Sequence, residues 1–111
     1  MSDTPRLTPQ TVAVLRALLS TPATPRWGRD IGRETGLKSG SLHPILARLE
    51  QAGWVESFWE KPEEHEDQGR PRRRYYRFAP GGAQTAQFAI AEAAEKSRAA
   101  ADGHLRPQPG Y

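Results

Sequence analysis

Five arginines, Arg70, Arg72, Arg73, Arg74 and Arg77, fall within eight residues with no acid among them. Guanidinium groups match phosphate oxygens, and an extended arginine can enter a narrow minor groove, so such a run suits nucleic acid. The stretch before it has the opposite sign, with Glu60, Glu63, Glu64, Glu66 and Asp67 set against Lys61. DNA repels an acidic block, which must therefore point away or fold over the arginines when DNA is absent. The competing reading is a solvated hairpin whose charges pair across its strands. If the arginines lie on a strand they alternate faces. Tyr76 and Phe78 then share the buried side, Arg73 and Arg77 form the more exposed pair, and Arg74 lies over an aromatic ring or pairs with a strand acid.

A second group lies in residues 38–53. Leu42, Ile45, Leu46 and Leu49 recur at helical spacing, while Ser41, His43, Pro44, Ala47 and Arg48 fall on the other side. No acid occurs between Glu34 and Glu50. A helix with small hydroxyl residues on an acid-free outer face can approach a polyanion closely, as a recognition helix does in a major groove. Candidate contacts are Lys38 to phosphate, and Ser39, Ser41 and His43 to base edges or phosphate, with Arg70, Arg72 and Arg73 beside them. Ser39 or Ser41 could instead cap the helix, and His43 could be an ordinary surface residue. Pro44 is expected in the first turn, where a missing amide donor is tolerated.

Catalysis finds little in this chain. Ser39, His43 and Glu50 share one helix but point in different directions, so no nucleophile, base and orienting group converge. There is no cysteine, and His43, His65 and His104 are far apart. Neither a metal centre nor a cofactor is expected.

The elements that must hold these residues follow from the rest of the pattern. Thr8-Pro9 starts a helix over 9–20, with a hydroxyl cap and proline at the first helical position. Prolines 22 and 25 break it. A short second helix over 27–35 turns Trp27 and Ile31 inward and ends at Gly36. Residues 54–60 and 72–78 read as two strands joined by an exposed loop over 61–71. Ala79-Pro80-Gly81-Gly82 is a breaker, and 82–101 is an alanine-rich helix. Residues 102–111 hold few apolar side chains and are expected to be disordered.

Helix, turn, helix and a projecting hairpin make a winged helix-turn-helix, mainly α with a small β-hairpin. The expected division is 7–79 for the DNA-binding domain, 80–101 for the C-terminal helix and 102–111 for the tail. The chain has 111 residues, 36% hydrophobic, and a net charge of +3. That suits one domain with a modest preference for an anionic partner. No signal-peptide run or transmembrane stretch is present, so a soluble cytoplasmic protein is expected.

Two motifs carry a resemblance over about residues 7 to 90. Gly40-Ser41-Leu42-His43-Pro44-Ile45-Leu46-Ala47-Arg48-Leu49-Glu50-Gln51-Ala52-Gly53-Trp54-Val55 resembles the Gly-Ser-Leu-Tyr-Pro … Arg-Leu-Glu … Gly pattern of the PadR-type transcriptional regulators. Gly69-Arg70-Pro71-Arg72-Arg73-Arg74-Tyr75-Tyr76-Arg77-Phe78 is similar to their Gly-Arg-Pro-Arg-Lys-Tyr-Tyr-Arg-Leu, with one extra basic residue. His43 replaces the usual tyrosine, and Ala79-Pro80-Gly81-Gly82 replaces the usual Thr-Pro-Glu-Gly. The resemblance is to the short subfamily with one C-terminal helix. It implies a homodimeric repressor on double-stranded DNA with a palindromic operator, dimerised through that helix and often released by a small-molecule effector.

On that helix Phe88 and Ile90 are the largest apolar groups, and Ala86 and Ala93 allow close approach, so these four are the candidate dimer contacts. Trp27, Trp54 and Trp59 could stack an aromatic effector or serve ordinary packing. The alternative function is a protein-interaction module acting through the acidic wing or the last helix.

Overall fold

Thr8 opens the first helix as its pattern predicts. In the computed structural model, which describes residues 5–65 and 69–105 (64–65 and 102–105 by backbone only), Thr8 is extended and its Oγ1 accepts the Thr11 amide at 3.1 Å. Pro9 takes the first helical position of α1 (Pro9–Leu19), and Val14, Leu15 and Leu18 are buried on one face.

The second helix starts one residue later than expected. Arg26–Trp27 is a strand, β1, and α2 is Gly28–Thr35. Trp27 stays extended because Arg26 and Trp27 pair antiparallel with Tyr76 and Tyr75 of a later strand. Arg26 ties this strand down, with Nη1 donating to the Ala17 carbonyl at 2.9 Å and Nη2 to Glu34 Oε2 at 3.1 Å. Gly36 ends α2 in the left-handed region (φ 76°), where a side chain would be strained, and its amide closes on the Gly32 carbonyl.

The third helix, α3, is Ser39–Gln51, with Lys38 at its N-cap and no side chain capping it. Neither Ser39 nor Ser41 is the cap. Pro44 therefore lies deeper than expected, in the second turn, where the Gly40 carbonyl loses its usual amide partner. Leu42, Ile45, Leu46 and Leu49 are buried, each at 5% exposure or less.

The sheet has three strands, not the two of a simple hairpin. β2 (Val55–Trp59) and β1 flank β3 (Arg74–Phe78), all antiparallel, with Ser57 opposite Tyr76 and Phe58 opposite Tyr75. Residues 60–73 join β2 to β3 and include one helical turn, α4 (Pro62–His65). The side chains of Glu64 and His65, and all of Glu66 and Asp67, lie outside the described residues.

The last helix, α5 (Gly82–Leu105), runs past the expected end at 101. The remainder of the expected tail, 106–111, lies outside the described residues. Ala86 is fully buried in the chain's own core, with Ala89 and Ile90 packed against it. Ala86 therefore cannot face a second subunit as expected. Residues 94–101 are all exposed, so the helix leaves the domain after about its third turn.

The start of α5 rests on backbone. The Ala79 amide donates to the Trp54 carbonyl at 3.0 Å, and a Cβ placed on Gly82 would run into that carbonyl. Alanine gains about 1 kcal/mol over glycine within a helix, but overpacking against fixed backbone costs about 1–3 kcal/mol. The clash wins, so Gly82→Ala is expected to lower the stability measured by urea unfolding.

Candidate nucleic-acid interface

Burial of its apolar edge turns the other side of α3 outward. Ser39, Gly40, Ser41, His43, Pro44, Ala47 and Arg48 are all exposed, as is Lys38 before them. The first turn holds no acid and no capping side chain, so the positive end of the helix dipole and its early amides face solvent. The four α3 candidates, Lys38, Ser39, Ser41 and His43, thus stand together at one exposed helix end.

The wing arginines are distributed differently from the expectation. Arg70 makes a bidentate pair with Glu60, Nη1 to Oε1 at 2.7 Å and Nη2 to Oε2 at 2.8 Å. Glu60 is buried at 4% exposure, and its amide donates to the Arg73 carbonyl at 2.8 Å. The hydrogen bonds from Arg70, then those from the Arg73 backbone, outweigh desolvation and hold the Glu60 carboxyl at about pKa 2, down from 4.5. One member of the acidic block thus does fold onto an arginine.

Arg73 was expected to be exposed and is half-buried. Its guanidinium lies 4.0 Å from the centre of the Trp27 ring, and its buried Nε has no hydrogen-bond partner. The reason is the third strand. β3 begins only at Arg74, so Arg73 precedes the ladder and folds onto a residue of β1.

Arg74 lies over an aromatic ring, as one of the two expectations had it, while the acid near it is Glu50 of α3 and not a strand acid. Its guanidinium is 5.1 Å from the Trp59 ring, and Nη2 donates to Ser57 Oγ at 2.7 Å. Ser57 in turn donates to Glu50 Oε2 at 2.7 Å, which joins both wing strands to the end of α3. Arg77 is exposed, as expected, and donates through Nε and Nη2 to Glu56 Oε2 at 3.1 and 2.9 Å. Arg72 is exposed, lies 5.3 Å from the Trp59 ring, and its guanidinium, like that of Arg73, has no acid partner among the described residues.

Two cations missed in the sequence complete this side of the molecule. Arg29 and Arg33 are exposed one turn apart on α2. With Ser39 and His43 they edge a hollow of about 610 Å³ whose floor includes Gly28, Gly32, Leu42 and Tyr76. Their signal was present as an i, i+4 arginine pair on a short amphipathic helix, but its outer face becomes adjacent to α3 only after folding.

The pattern of the Transcriptional regulator PadR-like family matches residues 28–87. No curated protein matches the chain significantly. Among solved structures, the chain is similar to AbfR of Staphylococcus epidermidis, at 28% identity and TM-score 0.60, over 78% of this chain and 52% of that one. It is similar in fold to PcaV from Streptomyces coelicolor, at 20% identity and TM-score 0.62, over 89% and 63%. A putative DNA-binding protein from Ralstonia eutropha matches in fold at 24% identity and TM-score 0.57, over 76% of this chain and 98% of its own. The chain spans about half the length of AbfR.

The low Glu60 pKa has a definite sign. The Glu60–Arg70 pair stabilises the fold above about pH 4.5 and loses that contribution as pH falls towards about 2, because the unfolded carboxyl takes up its proton first. Thermal melts across that window are expected to fall more steeply for the wild type than for Glu60→Gln. Equal slopes would mean that the pair does not stabilise the wing.

Proposed function

The chain belongs to the PadR-like family of transcriptional regulators, and from that premise we propose that it is a homodimeric repressor acting in the cytoplasm on a palindromic operator. The observation that carries this reading is the exposed, acid-free start of α3, with Lys38, Ser39, Ser41 and His43 together at one helix end, and the exposed Arg72 on the wing is taken with it. Ser39, Ser41 and His43 read or position on base edges, and Lys38 and Arg72 hold phosphates. Arg70 and Arg73 set the shape of the wing from within, through Glu60 and Trp27. AbfR, similar over most of this chain, has been solved bound to DNA, which supports the same use of the fold here. Members of this family are regulators and not enzymes.

Dimerisation is assigned to the outer face of α5. Phe88, at 71%, is the most exposed of the large apolar side chains among the described residues. Nearby, Pro5 and Leu7 with Ala89 and Ala93 line a hollow of about 480 Å³ that a second copy can fill. Ile90 supports this face from beneath, half-buried against the core. A two-fold dimer places its recognition helices about one helical turn of DNA apart.

An aromatic effector finds no bare tryptophan. Trp54 is buried, Trp27 carries Arg73 on its ring, and Trp59 has Arg72 and Arg74 against it. A stacking effector would have to displace one of these arginines, and release from DNA by that route is part of the proposal. The wing arginines would then move with the ligand, which couples binding to the DNA-contacting surface.

Gel shifts on the DNA upstream of the chain's own gene test the reading. The protein is expected to bind as a dimer and to prefer a palindrome over random duplex at moderate salt. Lack of preference overturns the specific-repressor reading. His43→Ala is expected to change the preference at one base position by about 1–3 kcal/mol, whereas Arg72→Ala weakens all sequences alike. Phe88→Glu is expected to give monomers in sedimentation.

A further inference from the structure

A hollow of about 610 Å³ lies between α2, α3 and β3 on the surface just described. Its rim carries Arg29, Arg33, His43 and Arg74, and among the described residues no carboxylate lines it. The nearest acid on α2 is Asp30, whose Oδ1 is 3.9 Å from Arg33 Nη1, with both side chains largely in solvent. Such a contact contributes little and leaves Arg33 available. Arg29 lies 6.0 Å from the Trp27 ring, so its guanidinium also remains open on its outer side. The wing is arranged in the opposite way. Arg70, Arg74 and Arg77 are engaged by Glu60, Ser57 with Glu50, and Glu56, and Arg73 is folded onto Trp27.

Resting on the DNA-binding reading, we propose that the α2 side of this hollow, through Arg29 and Arg33, seats the sugar–phosphate backbone of the strand bordering the major groove. Arg29 and Arg33, together with Lys38 and Arg72, supply most of the electrostatic affinity, and the acid-paired arginines of the wing supply little of it. Three observations select a DNA strand as the occupant. The cations form a row, two of them one turn or about 6 Å apart along α2, which suits a regularly charged polymer. The same hollow is lined by Ser39 and His43, so its mouth is continuous with the recognition face of α3. In a helix-turn-helix whose second helix enters the groove, the first helix crosses the backbone, which brings the outer face of α2 over that strand.

The salt dependence of DNA binding tests this. Each phosphate neutralised releases counterions and steepens the plot of log affinity against log salt by about 0.9. The full-length double variant Arg29→Ala/Arg33→Ala is expected to lose about 2 from that slope on any duplex, with its melting temperature close to wild type because both side chains are exposed. Arg77→Ala, which removes a wing arginine paired to Glu56, is expected to leave the slope unchanged. If the double variant binds with the wild-type slope, or if Arg77→Ala flattens it as much, the α2 clamp is overturned while the regulator reading stands. Wild-type protein that binds no duplex at all would remove both.

Discussion

The apolar edge of α3 has one place to go, and the arrangement of the interface depends on that. Leu42, Ile45, Leu46 and Leu49 meet Val14, Leu15, Leu18 and Ile31 in the core. Burying each such side chain contributes about 1.5–3 kcal/mol. Rotating the helix by one residue, about 100°, would bring much of that surface into water. Ser39, Ser41 and His43 are therefore presented outward by the residues behind them. Lys38 precedes the helix in extended conformation, which leaves the helix end uncapped and its amides available.

A second constraint concerns the wing. A run of arginines invites a reading as free positive charge, yet most of this run is employed in building the wing. The pair between Glu60 and Arg70 is buried on the carboxylate side, and removing either partner would leave an uncompensated charge. Arg74, Ser57 and Glu50 then connect both strands to the last turns of α3. The outcome is a wing held at a set angle to the recognition helix, with Arg72 presented from it. The cations that stay largely open to solvent are Arg72 on the wing, Lys38 before α3, and Arg29 and Arg33 on α2, the last in a loose 3.9 Å contact with Asp30.

The last helix has two roles divided along its length. Its first turns belong to the domain, since Gly82 sits on the Trp54 carbonyl and Ala86 fills the core. Beyond Ile90 it has almost nothing of its own chain to pack on. A long alanine-rich helix in water is stabilised mainly by tertiary packing. Phe88 is exposed on the outer side of α5, and a hollow lined by Pro5, Leu7, Ala89 and Ala93 with Glu92, Lys96 and Ser97 lies along the same helix.

The sequence by itself determined the helices, the order of elements, the outward face of α3 and the existence of a basic wing, because these are set by local periodicity, caps and breakers. Leu42, Ile45, Leu46 and Leu49 at helical spacing, Thr8-Pro9 and Gly36 needed no partner to be legible. What only the tertiary structure decided are the contacts made across sequence distance. Two residues, Arg26 and Trp27, are too short a strand to show an alternating pattern, and their pairing with β3 alone drew Arg73 inward. Ala86 has the composition of a dimer contact and the position of a core residue. Arg29 and Arg33 are ordinary surface arginines until α2 is laid beside α3. Charge can be counted along a chain, but whether it is free depends on which acids and rings the fold brings to it.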